Sequence, residues 1–165
     1  MKRVILDTNI YGRIIERKEE EEIQNALRKR KDVIIYGFDV VRKELRGLSG
    51  ESLIGRRKLR ILLLTLYDTI ARTHIFLTTS LINQLAEDYY STYRHVGGNK
   101  SKDKIFNDFL IIACASLHEL DIVVSEDNKT MFSNEATSAY RIVNNLRKYR
   151  MPEFISYQNF RRLFS

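Results

Sequence analysis

The run Ile122-Val123-Val124 sets the tightest limit on what this chain can fold into. Three consecutive β-branched residues with no polar alternation suit a strand covered on both faces, because a half-exposed strand would put every second side chain in water. Arg3-Val4-Ile5-Leu6 and Val33-Ile34-Ile35-Tyr36 read the same way, and Ile75-Phe76-Leu77 and Phe154-Ile155-Ser156 are shorter strand signals. Segments of helical period separate them. Buried strands alternating with helices predict an α/β fold: a three-layer α/β/α sandwich around a central, mostly parallel sheet of about five strands. Such sheets bind ligands beyond the carboxyl ends of their strands, where the strand order reverses.

The intervening segments carry helix punctuation. Asp7-Thr8-Asn9 is a turn rich in capping residues before a short helix over 10–15. From Glu16 to Lys31 the charges are sorted, Glu19 to Glu22 early and Arg28 to Lys31 late, in the sense that suits a helix dipole, with Ile23, Ala26 and Leu27 as its apolar stripe. Gly37 marks a turn, and Asp39 caps a helix carrying Val40, Val41, Glu44 and Leu45. Gly47-Leu48-Ser49-Gly50 interrupts it, and a further helix runs from Arg56 to about Ala71. Helix is also predicted over 80–95 and 135–149, with a last helical turn over 159–164. The most apolar helix opens on Asp108 with Asn107 as its cap, and repeats Phe109, Ile112 and Ala113 on one face.

At 165 residues the chain suits a single domain, 1–165, with a full core. Hydrophobic residues at 44% and charged residues at 30% exclude a disordered chain. Cys114 is the one cysteine, so no disulfide framework or cysteine zinc site can be built; inside an apolar helix it reads as packing, in a reducing compartment. No apolar run approaches the roughly 20 residues a membrane span needs. Met1-Lys2-Arg3 leads into too short an apolar core for a signal peptide, so the expected location is the cytoplasm. A net charge of +7 and a pI near 9.5 favour a polyanionic partner.

Acids recur at the predicted rim. Asp7 closes the first strand, Glu44 sits on the helix after the second, Asp108 opens the apolar helix, and Asp127 follows the run at 122–124. Each alone is an ordinary cap, strand end or solvated surface residue. Four unpaired acids at one rim would repel one another unless a cation or a proton lay between them. Hard cations prefer oxygen ligands, and a metal-bound water is deprotonated more easily than free water.

The motifs Ile5-Leu6-Asp7-Thr8-Asn9, Val41-Arg42-Lys43-Glu44-Leu45, Asp108-Phe109-Leu110-Ile111-Ile112-Ala113 and Val123-Val124-Ser125-Glu126-Asp127 resemble, in order and spacing, those of the PIN-domain nucleases, including the toxin ribonucleases of toxin–antitoxin pairs. The resemblance implies a PIN-like sandwich with Asp7, Glu44, Asp108 and Asp127 as a catalytic cluster binding Mg²⁺ or Mn²⁺. Asn9 and Ser125 match positions that orient the carboxylates or bound water, Ser125 standing where threonine is common. Asp103, five residues before Asp108, is an alternative or supplement to it as the third acid. The implied activity is endonucleolytic hydrolysis of single-stranded or looped RNA, leaving a 5′-phosphate and a 3′-hydroxyl. A small antitoxin-like protein partner and a homodimer are implied in the same way.

Cations suited to phosphate contact flank the acids: Arg13 and Arg17, then Arg42, Lys43 and Arg46, then Lys100, Lys102 and Lys104. Any one of them is equally at home on a solvated face. Arg56-Arg57-Lys58-Arg60 suggests a substrate arm. Tyr89, Tyr90 and Tyr93 could stack on bases, although the spacing of Tyr89 and Tyr93 fits a core stripe better. His74, His95 and His118 share no ligand spacing, and His118 reads as a helix-end cation. A haloacid-dehalogenase-type phosphatase would want an acid where Asn9 stands, and a receiver domain an aspartate after the third strand, where Thr78 stands. The remaining alternatives are a PIN-like scaffold that binds RNA or protein without cutting, and a structure-specific DNA nuclease.

Overall fold

A computed structural model describes residues 1–48, 53–54 and 57–165. Its elements in chain order are β1 (Lys2–Leu6), α1 (Thr8–Glu16), α2 (Glu20–Lys29), β2 (Val33–Phe38), α3 (Asp39–Arg46), β3 (Leu53–Ile54), β4 (Arg57–Lys58), α4 (Leu59–Ala71), β5 (Ile75–Phe76), α5 (Ser80–His95), α6 (Lys102–Leu117), β6 (Ile122–Val124), α7 (Asn134–Arg147), β7 (Glu153–Ile155) and α8 (Tyr157–Arg162). Five strands form one parallel sheet in the order β5-β2-β1-β6-β7, and β3 and β4 form a separate antiparallel pair. Helices flank the central sheet on both sides, giving the expected α/β/α sandwich. The helices fall into two packed groups, α1, α2 and α4 in one and α5, α6 and α7 in the other, with α3 touching α1, α4 and α6.

The chain winds outward from β1 through β2 to β5, then returns to the other side of β1 to add β6 and β7. The reversal falls between β1 and β6, so the crevice beyond their carboxyl ends opens where Asp7 and Ser125 leave the sheet. Val4, Ile5 and Leu6 of β1 and all three residues of β6 are buried, as unbroken apolar runs require.

Several boundaries differ from those the sequence predicts. The apolar helix α6 begins at Lys102 with Ser101 as its N-cap, not at Asp108. Ile105 packs in the core one turn before Phe109, and this early contact extends the helix. Asn107 is therefore mid-helix and caps nothing, and Asp108 lies on the wall of α6. Gly37 is inside β2, not in a turn: a Cβ there would overlap the Tyr67 hydroxyl and lie 2.9 Å from Ala71 Cβ, so glycine is the residue that lets α4 lie against the strand. Asp39 is the first residue of α3, with Phe38 as N-cap, and its carboxylate accepts hydrogen bonds from Thr78 N–H (2.9 Å) and Thr78 Oγ1 (2.6 Å). The charge-sorted helix starts only at Glu20, after Lys18 takes a positive φ of 56°. The next helix begins at Leu59, with Arg57 and Lys58 in β4; Arg56, Ser49 and Gly50 lie outside the described residues. The last two helices, α7 and α8, span Asn134–Arg147 and Tyr157–Arg162.

Tyr89 and Tyr93 are buried in the core beside Phe109, and Tyr90 is half-buried there, so none of the three forms an exposed stacking surface. Tyr89 Oη donates to Asn144 Oδ1 and accepts from Ser116 Oγ at 3.1 Å, while the Asn144 amide nitrogen donates to Ser116 Oγ at 2.9 Å. That closed set satisfies the buried Asn144 and ties α5, α6 and α7 together. His118 stands at the helix end as expected, as the C-cap of α6, but its surroundings disfavour the cation. Burial, with the Arg3 charge second, lowers its pKa, and its ring stacks on Phe76.

Candidate metal and nuclease site

The crevice collects its side chains from four elements. Asp7 follows β1 as the N-cap of α1, fixed by its own N–H donating to Val124 O at 2.9 Å. Only 5% exposed, its carboxylate accepts from Thr8 N–H (2.7 Å), Asn9 Nδ2 (3.1 Å) and Ser125 Oγ (2.7 Å). Ser125 Oγ accepts in turn from Asp127 N–H at 3.0 Å and from Asn9 Nδ2 at 3.3 Å. Asn9 and Ser125 thus clamp the Asp7 carboxylate from both sides of the strand switch.

Asp127 closes an Asx turn, with Oδ1 accepting from Lys129 N–H (3.0 Å) and Thr130 N–H (2.9 Å). The Thr130 hydroxyl lies 2.7 Å from Asp108 Oδ2 and also bonds Asp127 Oδ2, so one hydroxyl bridges two carboxylates. Thr130 is the functional-site residue that the sequence reading missed. Its signal was the spacing: a hydroxyl residue three positions after a capping aspartate.

Glu44 reaches the crevice from α3, whose buried Val41 and Leu45 turn the intervening residue toward the rim. Glu44 Oε1 and Thr8 Oγ1 are both buried, and neither has a hydrogen-bond partner among the described residues. Burial raises the Glu44 pKa to about 7, the Asp7 charge adds to the rise, and the neighbouring Thr8 hydroxyl opposes it without forming a bond of ordinary geometry. Asp108 is pushed to about 8, first by burial and then by the charges of Asp7, Asp127 and Glu44, against the Thr130 bond. Burial also raises Asp7, with Ser125 and Thr8 opposing and Asp127 adding to it.

Asp7, Glu44, Asp108 and Asp127 therefore share one crevice and feel one another's charge. They are gathered but not closed around a point: among the described residues no three His, Cys, Asp or Glu side chains form a ready metal cage. The Asp7, Asp108 and Asp127 oxygens are turned toward hydroxyl and amide groups instead. The donor set still suits a hard divalent cation, being all oxygen and anionic, and Glu44 Oε1 is a buried acceptor with no hydrogen-bond partner among the described residues. Asp103 is exposed in the first turn of α6 and is not among the charges acting on Asp108.

The cations divide. Lys43 and Arg46 are exposed and line a cleft of about 640 Å³ together with Glu44. Arg42 is held by Asp68 through two 3.0 Å bonds, Lys102 by Glu87, and Arg13 lies 3.6 Å from Glu16. Lys104 is exposed on the first turn of α6. Arg17 lies over the Tyr157 ring at 5.8 Å, and the Lys100 N–H donates to Tyr93 Oη at 3.0 Å.

The fold is PIN-like. It is similar to solved VapBC2 from Rickettsia felis bound to a promoter DNA fragment, with a TM-score of 0.60 and 15% identity over 93% of this chain and 98% of that one. It is likewise similar to DNA-bound VapBC from Salmonella typhimurium (TM-score 0.59, 16% identity, 95% and 99% covered) and to FitAB bound to a DNA fragment (0.57, 17%, 93% and 94%). No protein-family model matches the sequence, and no curated protein does.

Proposed function

We propose that the protein is a metal-dependent endoribonuclease that hydrolyses phosphodiester bonds in single-stranded or looped RNA, acting in the cytoplasm as one domain and as the toxin of a toxin–antitoxin pair. The observation that carries this reading is the meeting of Asp7, Glu44, Asp108 and Asp127 at the strand switch, where burial first, and then the charges of Asp7, Asp127 and Glu44, raise the Asp108 pKa to about 8. Such repulsion is what a divalent cation relieves.

Asp7, Asp108 and Asp127 would hold Mg²⁺ or Mn²⁺, with Glu44 joining directly or through water. When bound, the ion supplies a water acidic enough to be deprotonated near neutral pH and offsets charge on the phosphodiester oxygens. Asn9 and Ser125 keep Asp7 in one rotamer, so the site does not spend binding energy ordering it. Thr130 holds Asp108 and Asp127 in register. Without the ion, Glu44 is near its midpoint at neutral pH and can hold or release a proton.

The toxin role and a small antitoxin-like protein partner rest on the likeness to VapBC and FitAB complexes; a homodimer is proposed only by analogy with the nuclease family that the four motifs resemble. No described helix is long and apolar enough to cross a membrane. Incubating the purified chain with end-labelled RNA and DNA in Mg²⁺, Mn²⁺ or EDTA tests the reading. Metal-dependent RNA cuts, lost in Asp7→Asn, are expected. Cleavage that persists in EDTA, or that Asp7→Asn leaves unchanged, overturns it, and a preference for branched DNA favours the structure-specific DNA nuclease.

A further inference from the structure

The cleft of about 640 Å³ beside the acids is lined by Asp39, Val40, Lys43, Glu44, Arg46, Thr78, Asn107 and Leu110. It lies between α3 and α6, and Glu44 belongs both to it and to the acid cluster. Its far wall is already engaged, because Thr78 holds the Asp39 carboxylate. Its inner side is apolar, from half-buried Val40 and nearly buried Leu110. Asn107 and Leu110 are three residues apart on α6 and share a face. Asn107 immediately precedes Asp108, is exposed, and makes no side-chain hydrogen bond among the described residues. Lys43 and Arg46 form the mouth from α3.

An apolar wall, a free amide at its edge and two cations at the mouth match the three parts of one nucleotide: a flat base, its hydrogen-bonding rim and its phosphate. A side-chain amide can offer a donor and an acceptor together to a base edge. Single strands are read this way, because their unstacked bases expose those edges. The volume lies within the usual range for a small-molecule site.

We infer that this cleft is the subsite for the nucleotide next to the scissile phosphate, with Asn107 reading the base edge and Lys43 and Arg46 holding the backbone. Asn107 is thereby a specificity residue and not a catalytic one. The inference rests on the ribonuclease reading but makes separate demands.

The test has two arms. In EDTA, binding of a fluorescein-labelled single-stranded RNA of mixed sequence is followed by anisotropy across a salt series. Replacing Lys43 and Arg46 together by alanine should weaken binding at low salt and reduce the log–log salt slope by roughly 1.4, which is two single-strand phosphate contacts. Removing two exposed charges elsewhere, Lys29 and Arg141, should leave the slope closer to that of the parent chain. In Mn²⁺, the ends cut from a randomised RNA pool are sequenced. Asn107→Ala should flatten the base preference at one position adjoining the cut and leave the other positions as they were. All five replaced residues are exposed, so equal melting temperatures verify folding. A slope equally reduced by the control pair, or an unchanged base preference in Asn107→Ala, overturns the subsite even if RNA is cut. RNA that binds with the expected slope change but is never cut keeps the subsite as a binding cleft and removes the nuclease. No RNA binding removes both.

Discussion

Replacing Asp108 by asparagine should stabilise the metal-free protein, and by an amount that depends on pH. Asp108 titrates at about 8 in the folded chain against an ordinary 3.8, because burial and three neighbouring acids disfavour its charge. Between those values the folded form keeps a proton that the unfolded form has released. Folding then takes up a proton, so stability falls as pH rises through the window and levels off above about 8. At about 1.4 kcal/mol for each pH unit, the full rise corresponds to a ceiling of roughly 6 kcal/mol. Glu44 and Asp7 take up protons as Asp108 loses its own, and the asparagine amide is itself buried, which together leave about 2 kcal/mol at pH 8. The geometry favours retention of the local bond, since the amide oxygen can still accept from the Thr130 hydroxyl. For a chain of this length the expected gain in melting temperature is roughly 4–8 °C. The measurement is thermal unfolding by circular dichroism in EDTA from pH 4 to 9. The gain should be largest at pH 8 and above and should shrink toward zero near pH 4. A variant no more stable than the parent at pH 8, or equally shifted at pH 4 and pH 8, would refute the raised Asp108 pKa, and with it the burial and charge crowding described for the crevice.

Adding Mn²⁺ at pH 7 to the parent chain should raise the melting temperature, with about 2.7 kcal/mol expected at a hundred times the dissociation constant. It should also release protons, measurable by calorimetry in buffers of different ionisation heat; superimposed curves with and without metal would contradict it. Ser125→Ala removes the 2.7 Å donor to Asp7 Oδ2 and should lower metal affinity about 10–100-fold by titration, while Ser125→Thr should restore most of it. Gly37→Ala should cost roughly 1–3 kcal/mol in denaturant unfolding because its Cβ meets Tyr67 and Ala71; no loss would mean that α4 does not press on β2 as described. Tyr89→Phe should cost about 1–2 kcal/mol, since Ser116 and Asn144 lose a shared buried partner.

Much of the architecture was legible in local pattern. The runs at 4–6, 33–36 and 122–124 could satisfy their apolar side chains only as strands covered on both faces, and the segments between them could close only parallel connections. Helix α5 spans Ser80–His95 as its pattern predicts, and the structure adds Thr79 as its cap through Ile82 N–H. The α6 start was not legible. Lys102 to Lys104 is wholly polar, and packing of Ile105 and Phe106 against the core carries the helix back to Ser101. Gly37 misled for a similar reason, since its meaning lies in Tyr67, thirty residues away.

The sequence by itself determined the chemistry available at the rim: which acids leave the strands, that their donors are hard oxygens, and that the surroundings are basic. Tertiary structure alone decided how those groups meet. The bond from Ser125 to Asp7 spans 118 positions and that from Thr130 to Asp108 spans 22, and the Glu44 oxygen is left without a partner only because α3 carries it inward. Caps and strands are set by neighbours along the chain, where local sterics act. A raised carboxylate pKa is set by burial and by charges brought close in space, and linear sequence contains neither distance.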